Sequence, residues 1–156
     1  ELVGIETELK GDLVNNLVFK GFVDIIIRDK RDGRINIIDL KTATRGWNKY
    51  QKKDHKKTAQ LVLYKTFYAK QFGVDEDMID VEYIILRRKI NEDSEWPMKR
   101  IQTFSPANGK PTRNKIGKML QEFIDKAFNK DGTYNMDLDI NIPKCKDKWC
   151  KYCRAK

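Results

Sequence analysis

Long apolar runs are absent from this sequence. No stretch approaches the roughly 20 apolar residues of a membrane-spanning helix, and no segment has the basic, apolar and small-residue order of a secretory signal. We therefore expect a chain that does not span a membrane. The chain begins at Glu1 rather than at a methionine, inside a segment that already has strand composition, so we expect the natural protein to begin earlier.

Cysteine is scarce and confined to one end of the chain. Cys145, Cys150 and Cys153 are an odd, clustered set, which fits a disulfide framework poorly and favours a reducing, cytoplasmic compartment. The Cys-x-x-Cys spacing of Cys150 and Cys153 is used by ligands of zinc and of iron–sulfur clusters. Three thiolates are one short of a closed site, so cysteines that hold no metal are an alternative.

Acidic residues are too few to balance the basic ones. The 156 residues include 32 Lys and Arg against 23 Asp and Glu, which leaves a formal charge of +9. Such an excess favours polyanionic partners, nucleic acid first and an anionic membrane surface second, although simple solubility produces the same composition. The length is that of one domain with a modest core.

Strand-like composition dominates the first part of the chain. Residues 2–9 and 16–29 are rich in β-branched and aromatic side chains, and residues 11–16 between them have turn composition. Asp32-Gly33 is the strongest short hairpin signal, and a third strand over residues 35–42 follows it. Two amphipathic helices are predicted over 58–73 and 111–132, and two further strands over 80–90 and 99–104. The order β-β-β-α-β-β-α indicates an α/β or α+β fold.

Three ionisable residues interrupt the two strands that the hairpin joins. Asp24 lies inside the apolar run "FVDIII", and Asp39 and Lys41 follow the run "INII". Because the strands are antiparallel neighbours and Asp39 and Lys41 are two residues apart, all three side chains can converge. Neighbouring buried carboxylates need compensation, and two oxygen ligands suit Mg²⁺ or Mn²⁺. The alternative is an ordinary ion pair at a sheet edge.

Such a set has the components of phosphodiester hydrolysis. A metal ion lowers the pKa of water and makes it a usable nucleophile. A nearby lysine can orient that water and stabilise the charge that develops on a phosphate.

The segment "GFVDIII…INIIDLKTAT" resembles the PD-(D/E)xK nuclease superfamily, in its RecB-like branch. The pattern of that branch is Gly-x-x-Asp on one strand and Asp-x-Lys-Thr on the next, which Gly21, Asp24, Asp39, Lys41 and Thr42 match. The resemblance implies a restriction-endonuclease-like core with a mixed central sheet flanked by helices. It also implies that Asp24 and Asp39 bind the metal and that Lys41 is catalytic.

The same branch has a helix with Gln-x-x-x-Tyr after the lysine, which Gln60 and Tyr64 match. The resemblance implies that both join the catalytic set. Residues four apart share one helix face, although an ordinary amphipathic helix has this spacing too. Many members add a His or Glu from an upstream helix. The only histidine, His55, follows the lysine motif and is in the wrong place, so Glu6 or Glu8 on the first strand is the candidate third ligand.

Residues 45–57, directly after the lysine motif, are basic and aromatic. Cations neutralise phosphates and aromatic rings stack on unpaired bases, so this segment is predicted to be a strand-binding loop that runs into a helix. The alternative is a solvated charge run with Trp47 folded onto the core. The predicted nucleic-acid-binding residues are Arg45, Trp47, Lys49, Lys52, Lys53, Lys56 and Lys57.

These features predict a Mg²⁺- or Mn²⁺-dependent DNA nuclease, with exonuclease action on single strands or DNA ends. A nuclease core is expected over residues 1–142 and a cysteine-containing tail over residues 143–156. Two competing functions are a catalytically inactive nucleic-acid-binding module of the same fold and a domain whose basic face binds an acidic protein.

The resemblance also suggests a role for the cysteines. Helicase-associated and CRISPR-associated relatives often carry a [4Fe–4S] cluster, with one cysteine upstream of the core and three near the C-terminus. It implies that Cys145, Cys150 and Cys153 are cluster ligands, with zinc as the alternative. It further implies a fourth ligand in an upstream segment, and a helicase-type partner is compatible with it.

Overall fold

The computed structural model describes residues 1–90, 95–96 and 98–137. Its elements are β1 (Leu2–Asp12), β2 (Val18–Arg28), β3 (Ile35–Ala43), α1 (Lys49–Lys53), α2 (His55–Phe72), a 3₁₀ turn (Glu76–Met78), β4 (Ile79–Arg87), β5 (Ile101–Phe104) and α3 (Lys110–Ala127). The predicted order of strands and long helices is confirmed, and the short helix α1 is an addition to it. The cysteine-containing tail lies outside the described residues.

The two predicted turns form where the sequence placed them. Asn15 and Asn16, between β1 and β2, have left-handed φ angles of 59° and 57°, which asparagine tolerates better than most residues. Gly33 has a φ of 76°, and its N–H donates to the Asp29 carbonyl at 2.9 Å. Both turns reverse the chain tightly, so β1, β2 and β3 form a meander.

The segment predicted as a loop that runs into a helix contains the separate short helix α1. The Asn48 side chain accepts hydrogen bonds from the N–H groups of Tyr50 and Gln51, and the Gln51 side chain accepts from the N–H of Asn48. This reciprocal cap satisfies the free donors of the first turn. Asp54 then ends α1 and caps α2 by accepting from the N–H of Lys56. A helix of five residues is too short to show periodicity in the sequence.

The five strands form one mixed sheet in the order β1-β2-β3-β4-β5. Only β3 and β4 are parallel among the described strands, and α2 provides the crossover that a parallel pair requires. Helix α2 packs on β1, β3 and β4, and α3 packs on α2. The result is the α+β architecture expected for a restriction-endonuclease-like fold.

The core lies between α2 and the sheet. Its largest fully buried side chains include Leu9, Ile37, Leu61, Ile79 and Tyr83. Helix α2 buries eight of its twelve residues from Thr58 to Ala69, and this buried set includes the polar Thr58 and the charged Lys65. Within the described ranges, no helix has the length and apolarity to cross a bilayer.

Candidate active site

The ladder between β2 and β3 ends just before the two aspartates. Its last paired residues are Ile25 and Ile38. Beyond them β2 continues to pair with β1, and β3 continues to pair with β4. The sheet therefore forks at this point, and Asp24 and Asp39 are the next residues on its two sides.

The backbone of β1 is irregular opposite Asp24. Glu6 lies at this position and has a φ of 46°, which is uncommon for a residue with a side chain. On a regular strand, Val23 and Ile26 would point to opposite faces because they are three residues apart. Both belong instead to the same buried core. The alternation of β2 is therefore interrupted at Asp24, as is common near active sites.

Where the β2–β3 ladder stops, the carboxylate of Asp24 accepts a hydrogen bond from the backbone of β3. Its Oδ2 accepts from the backbone N–H of Leu40 at 2.7 Å. Leu40 follows Asp39 directly, so this bond ties the first aspartate to the residue next to the second one. The two strands stay close without a regular ladder, and the two carboxylates are held near each other.

Asp39 is a buried carboxylate whose hydrogen bonds are incomplete. Its side chain is 2% exposed, and Oδ2 lies 2.7 Å from Nζ of Lys41. This contact is an ion pair, and apart from Lys41 no residue in the described part of the chain donates to Oδ2. Burial raises the pKa of Asp39 above its usual value; Lys41 lowers this pKa in part, and the charge of Asp24 raises it further.

Helix α2 holds the lysine through a chain of hydrogen bonds. Lys41 Nζ donates to Gln60 Oε1 at 3.1 Å, and Gln60 Nε2 donates to the hydroxyl of Tyr64 at 2.9 Å. Tyr64 is buried, and its ring lies against the backbone of Gly21. The structure thus brings the five predicted catalytic residues into one neighbourhood, with Gly21 providing the space for the tyrosine.

Asp24 and Asp39 fit a divalent cation that prefers oxygen ligands. The buried Oδ2 of Asp39 lacks a hydrogen-bond partner among the described residues, and Mg²⁺ commonly binds one or two carboxylates while keeping several waters. No group of three or more His, Cys, Asp and Glu within the described ranges is arranged to hold a metal. Neither Glu6 nor Glu8 joins the pair, and Glu8 forms an ion pair with Lys20 at 2.7 Å.

The predicted nucleic-acid-binding lysines lie on two helical segments. Lys49, Lys52 and Lys53 are on α1, and Lys56 and Lys57 are in the first turn of α2. Together they form a basic edge beside the sheet. Arg45 lies apart from them, in a depression that it shares with Lys89.

Trp47 packs into the fold. Its ring centroid is 4.9 Å from that of Tyr83 and 6.4 Å from that of Phe104. Its backbone is held by the side-chain amide of Gln102, which accepts from its N–H at 2.7 Å and donates to its carbonyl at 3.1 Å. This position matches the alternative in which the indole folds onto the core, because the ring packs against Tyr83 and Phe104 in tilted and edge-on contacts.

Sequence reasoning did not single out Tyr83. The parallel register places it beside Asp39, and its hydroxyl donates to the carbonyl of Lys57 at 2.7 Å. This bond ties the start of α2 to the sheet next to the carboxylates. The alternating pattern of "VEYII" indicates that Tyr83 faces the core, but only the β3–β4 register identifies its neighbour.

Cys145, Cys150 and Cys153 lie outside the described residues. A [4Fe–4S] cluster or a zinc ion on them stays a prediction from the sequence.

Comparison with known proteins gives one family. Residues 1–156 match the model of the PD-(D/E)XK nuclease superfamily. No curated protein matches the chain. A solved structure titled "Crystal structure of SSO0001" is similar, with a TM-score of 0.43 and 16% identity over 77% of this chain and 50% of that chain. This chain spans about half the length of that structure.

Proposed function

The chain belongs to the PD-(D/E)XK nuclease superfamily, and we propose that it is a metal-dependent deoxyribonuclease that acts on single strands or DNA ends. The observation that carries the proposal is the state of Asp39. This carboxylate is buried, and its Oδ2 has no hydrogen-bond partner within the described part of the chain. The ammonium of Lys41 lies 2.7 Å from Oδ2 but compensates the burial only in part, because the pKa of Asp39 stays raised. A divalent cation bound there would complete the compensation.

Asp24 and Asp39 are the residues that would hold Mg²⁺ or Mn²⁺. A bound ion of this kind supplies Lewis-acid chemistry at a phosphodiester and lowers the pKa of the attacking water. The chain itself keeps the two carboxylates together, through the bond from the Leu40 N–H to Asp24 Oδ2 at 2.7 Å.

Lys41 is proposed to act on the phosphate and the attacking water. Its side chain is one third exposed, so a substrate can reach it, while Gln60 fixes the position of Nζ from the helix side. A cation that is held in place stabilises the charge that develops in the transition state without reorganising. Gln60 and Tyr64 are positioning residues in this scheme, since they act through Lys41.

The substrate preference rests on the sequence and the basic edge. Lysines on α1 and at the start of α2 suit a phosphate backbone, and the family suggests DNA. The RecB-like branch, exonuclease action and a helicase-type partner are proposed on the motifs Gly21-x-x-Asp24, Asp39-x-Lys41-Thr42 and Gln60-x-x-x-Tyr64.

An inactive binding module of the same fold explains these residues less well. A domain that only binds DNA gains nothing from a buried carboxylate with a raised pKa beside a fixed lysine. Replacing Asp39 with a neutral residue would relieve the burial cost without weakening contacts to phosphates.

The decisive experiment compares the parent protein with Lys41→Ala. Labelled single-stranded DNA is incubated with Mn²⁺ under single-turnover conditions, and binding is measured separately without metal. Loss of one electrostatic stabiliser predicts cleavage slower by about 100- to 1000-fold. DNA affinity should stay nearly unchanged, because one phosphate contact among several is a small share of binding.

Lys30→Ala is the matched control, since Lys30 is an exposed lysine in the β2–β3 hairpin. It should cleave at the parent rate. A parent protein that binds DNA and never cleaves it with Mg²⁺ or Mn²⁺ would instead support the inactive module. If Lys41→Ala cleaves as fast as an active parent, the catalytic assignment of Lys41 is wrong.

A further inference from the structure

A groove of about 560 Å³ lies next to the basic edge. One side is formed by Lys49, Lys52 and Lys53 of α1, and the other by Pro106 and Ala107 from the connection between β5 and α3. Phe104, at the end of β5, supplies the only phenyl ring among the described lining residues. The groove is large enough for one flat aromatic group with its attached polar chain.

The groove is close to the two carboxylates along the sheet. Asp39 is in register with Tyr83, and Tyr83 is in register with Phe104. The rings of Tyr83 and Phe104 are nearly parallel, at an interplanar angle of 11° and a centroid distance of 6.4 Å. Neighbouring strands are separated by about 4.8 Å, so the backbone of Phe104 lies about 10 Å from that of Asp39. One nucleic-acid strand can therefore contact both places.

The charges around the groove have one sign. They come from the three lysines of α1. His55 also lines the groove, and its Nε2 lies 2.8 Å from Nζ of Lys115 on α3. No acidic side chain is among the described lining residues. Lys52 Nζ lies 5.3 Å from the centroid of the Phe104 ring. An apolar groove floor surrounded by cations matches a nucleotide, because a nucleotide joins a flat nucleobase to negative phosphates.

Hydrogen bonds from α2 and α3 hold the β5–α3 connection that forms one wall of the groove. Lys65 is buried in α2, and its Nζ donates to Asn108 Oδ1 at 2.6 Å. Asn108 Nδ2 in turn donates to the carbonyl of Pro106 at 3.1 Å, and Arg113 donates to the carbonyl of Asn108 at 3.1 Å. These bonds hold the β5–α3 connection in place, so the space beside Phe104 exists before any ligand arrives.

We propose that this groove binds an unpaired base of the DNA strand, stacked on Phe104, while Lys49, Lys52 and Lys53 neutralise the adjacent phosphates. The proposal rests on the proposed function for its ligand. A base inside a duplex is paired and stacked, and it cannot enter the groove unless it leaves the helix. The groove would thus provide the preference for single strands, which a basic surface by itself does not supply.

The test is equilibrium binding without a divalent metal, using two probes of equal length and charge. One is an oligothymidylate, and the other is the same backbone with abasic sites in place of bases. The parent should bind the oligothymidylate more tightly. Phe104→Leu keeps an apolar side chain and removes the ring, and it should weaken oligothymidylate binding by about fivefold to tenfold. Binding of the abasic strand should stay within about twofold of the parent.

Phe22→Leu is the matched control. Phe22 is an exposed phenylalanine on β2 with Lys20 Nζ 5.3 Å from its ring centroid, the same distance as in the Lys52–Phe104 pair. Because β2 and β5 are separated by two strands, it should leave both affinities unchanged. Thermal melting of Phe104→Leu checks that the loss is local to the groove.

Several outcomes would overturn the proposal. They are equal affinity of the parent for both probes, equal weakening of both probes by Phe104→Leu, and a parent-like affinity of Phe104→Leu for oligothymidylate. The readout is independent of cleavage. A parent that discriminates the two probes through Phe104 but never cleaves DNA supports the groove and contradicts the nuclease proposal. A parent that cleaves DNA but binds both probes equally supports the nuclease proposal and contradicts the groove.

Discussion

The ring of Tyr64 occupies the space that a side chain at position 21 would need. A Cβ built on Gly21 lies 2.6 Å from Cε1 of Tyr64, which is far inside van der Waals contact. The tyrosine hydroxyl accepts from Gln60, and Gln60 accepts from Lys41. The glycine of the first motif therefore sets the position of the lysine of the second motif, although neither touches the other.

Gly21→Ala should displace Tyr64 and weaken the hydrogen bonds that position Lys41. We expect a loss of about 1–3 kcal/mol of stability, as for other overpacked sites, and a cleavage rate reduced more than DNA affinity. Chemical denaturation and single-turnover cleavage measure the two effects.

Gly117→Ala is the control for this substitution. Gly117 lies within α3, and a Cβ there meets no atom within 4 Å. Alanine should stabilise the helix by about 0.5–1 kcal/mol and leave cleavage unchanged. If Gly21→Ala behaves like Gly117→Ala, the packing of Tyr64 on Gly21 does not position the catalytic lysine.

Asp39→Asn should abolish cleavage and raise stability at neutral pH. Burial is the largest cause of the raised pKa of Asp39, so the folded state disfavours the charged form. A neutral side chain of the same shape relieves this cost, and a gain of about 1 kcal/mol is typical where function conflicts with stability. Thermal melting of metal-free protein at pH 7 measures it.

The pH dependence of this difference follows from linkage. Because the folded pKa of Asp39 lies above the unfolded value of 3.8, the folded state binds the proton more tightly. The parent therefore gains stability relative to Asp39→Asn as the pH falls through the folded pKa towards 3.8. Added Mn²⁺ should stabilise the parent and have a smaller effect on the variant. Equal stabilisation of both by Mn²⁺ would remove Asp39 from the metal site.

The double variant Lys52→Ala/Lys53→Ala should bind DNA more weakly and with a shallower dependence on salt. Each single-strand phosphate contact contributes about 0.7 to the slope of log K against log salt, so two lost contacts reduce the slope by about 1.4. Binding titrations at several salt concentrations measure it. Lys126→Ala/Lys130→Ala removes the same charge at the C-terminal end of α3 and in the turn that follows it, and it should leave the slope unchanged. The same slope for parent and Lys52→Ala/Lys53→Ala would place α1 outside the DNA path.

Lys65→Met should change how stability depends on alkaline pH. Burial is the main cause that lowers the pKa of Lys65, and Arg113 lowers it further, while Asp80, Asp77 and Glu76 raise it. Charged Lys65 therefore costs stability below its folded pKa. This cost is relieved as the pH rises through that value towards the unfolded value of 10.5.

The parent should consequently gain stability relative to Lys65→Met between these two pKa values. Denaturation curves at a series of alkaline pH values measure the difference. Lys70→Met, at an exposed position on the same helix, should show no such trend. A difference between parent and Lys65→Met that does not vary with pH would mean that Lys65 titrates normally.

Local patterns were enough to predict most of the fold. Alternating apolar residues and the Asp32-Gly33 turn predicted the β2–β3 hairpin, because hairpin register depends on neighbouring residues alone. The same reasoning predicted that Asp24 would approach Asp39 and Lys41. The spacing of Gln60 and Tyr64 predicted a shared helix face, and the structure connects that face to Lys41.

Contacts between distant elements were beyond these patterns. The segment after Lys41 was predicted as a loop that runs into a helix starting near Thr58. The structure instead has the short capped helix α1 within that segment, and α2 begins at His55. Trp47 was predicted to stack on DNA bases, yet its ring packs on Tyr83 and Phe104. Aromatic residues bury well in both settings, so composition did not distinguish them.

The sequence by itself determined which residues are available for chemistry and on which elements they lie, because strand and helix periodicity is local. Only the tertiary structure decided that the sheet forks at Asp24, that Asp39 keeps a buried oxygen without a hydrogen-bond partner in the part of the chain described, and that Phe104 adjoins a basic groove. These features depend on the pairing of β3 with β4 across α2. That pairing is set by the burial of residues far apart in the chain, which no short pattern records.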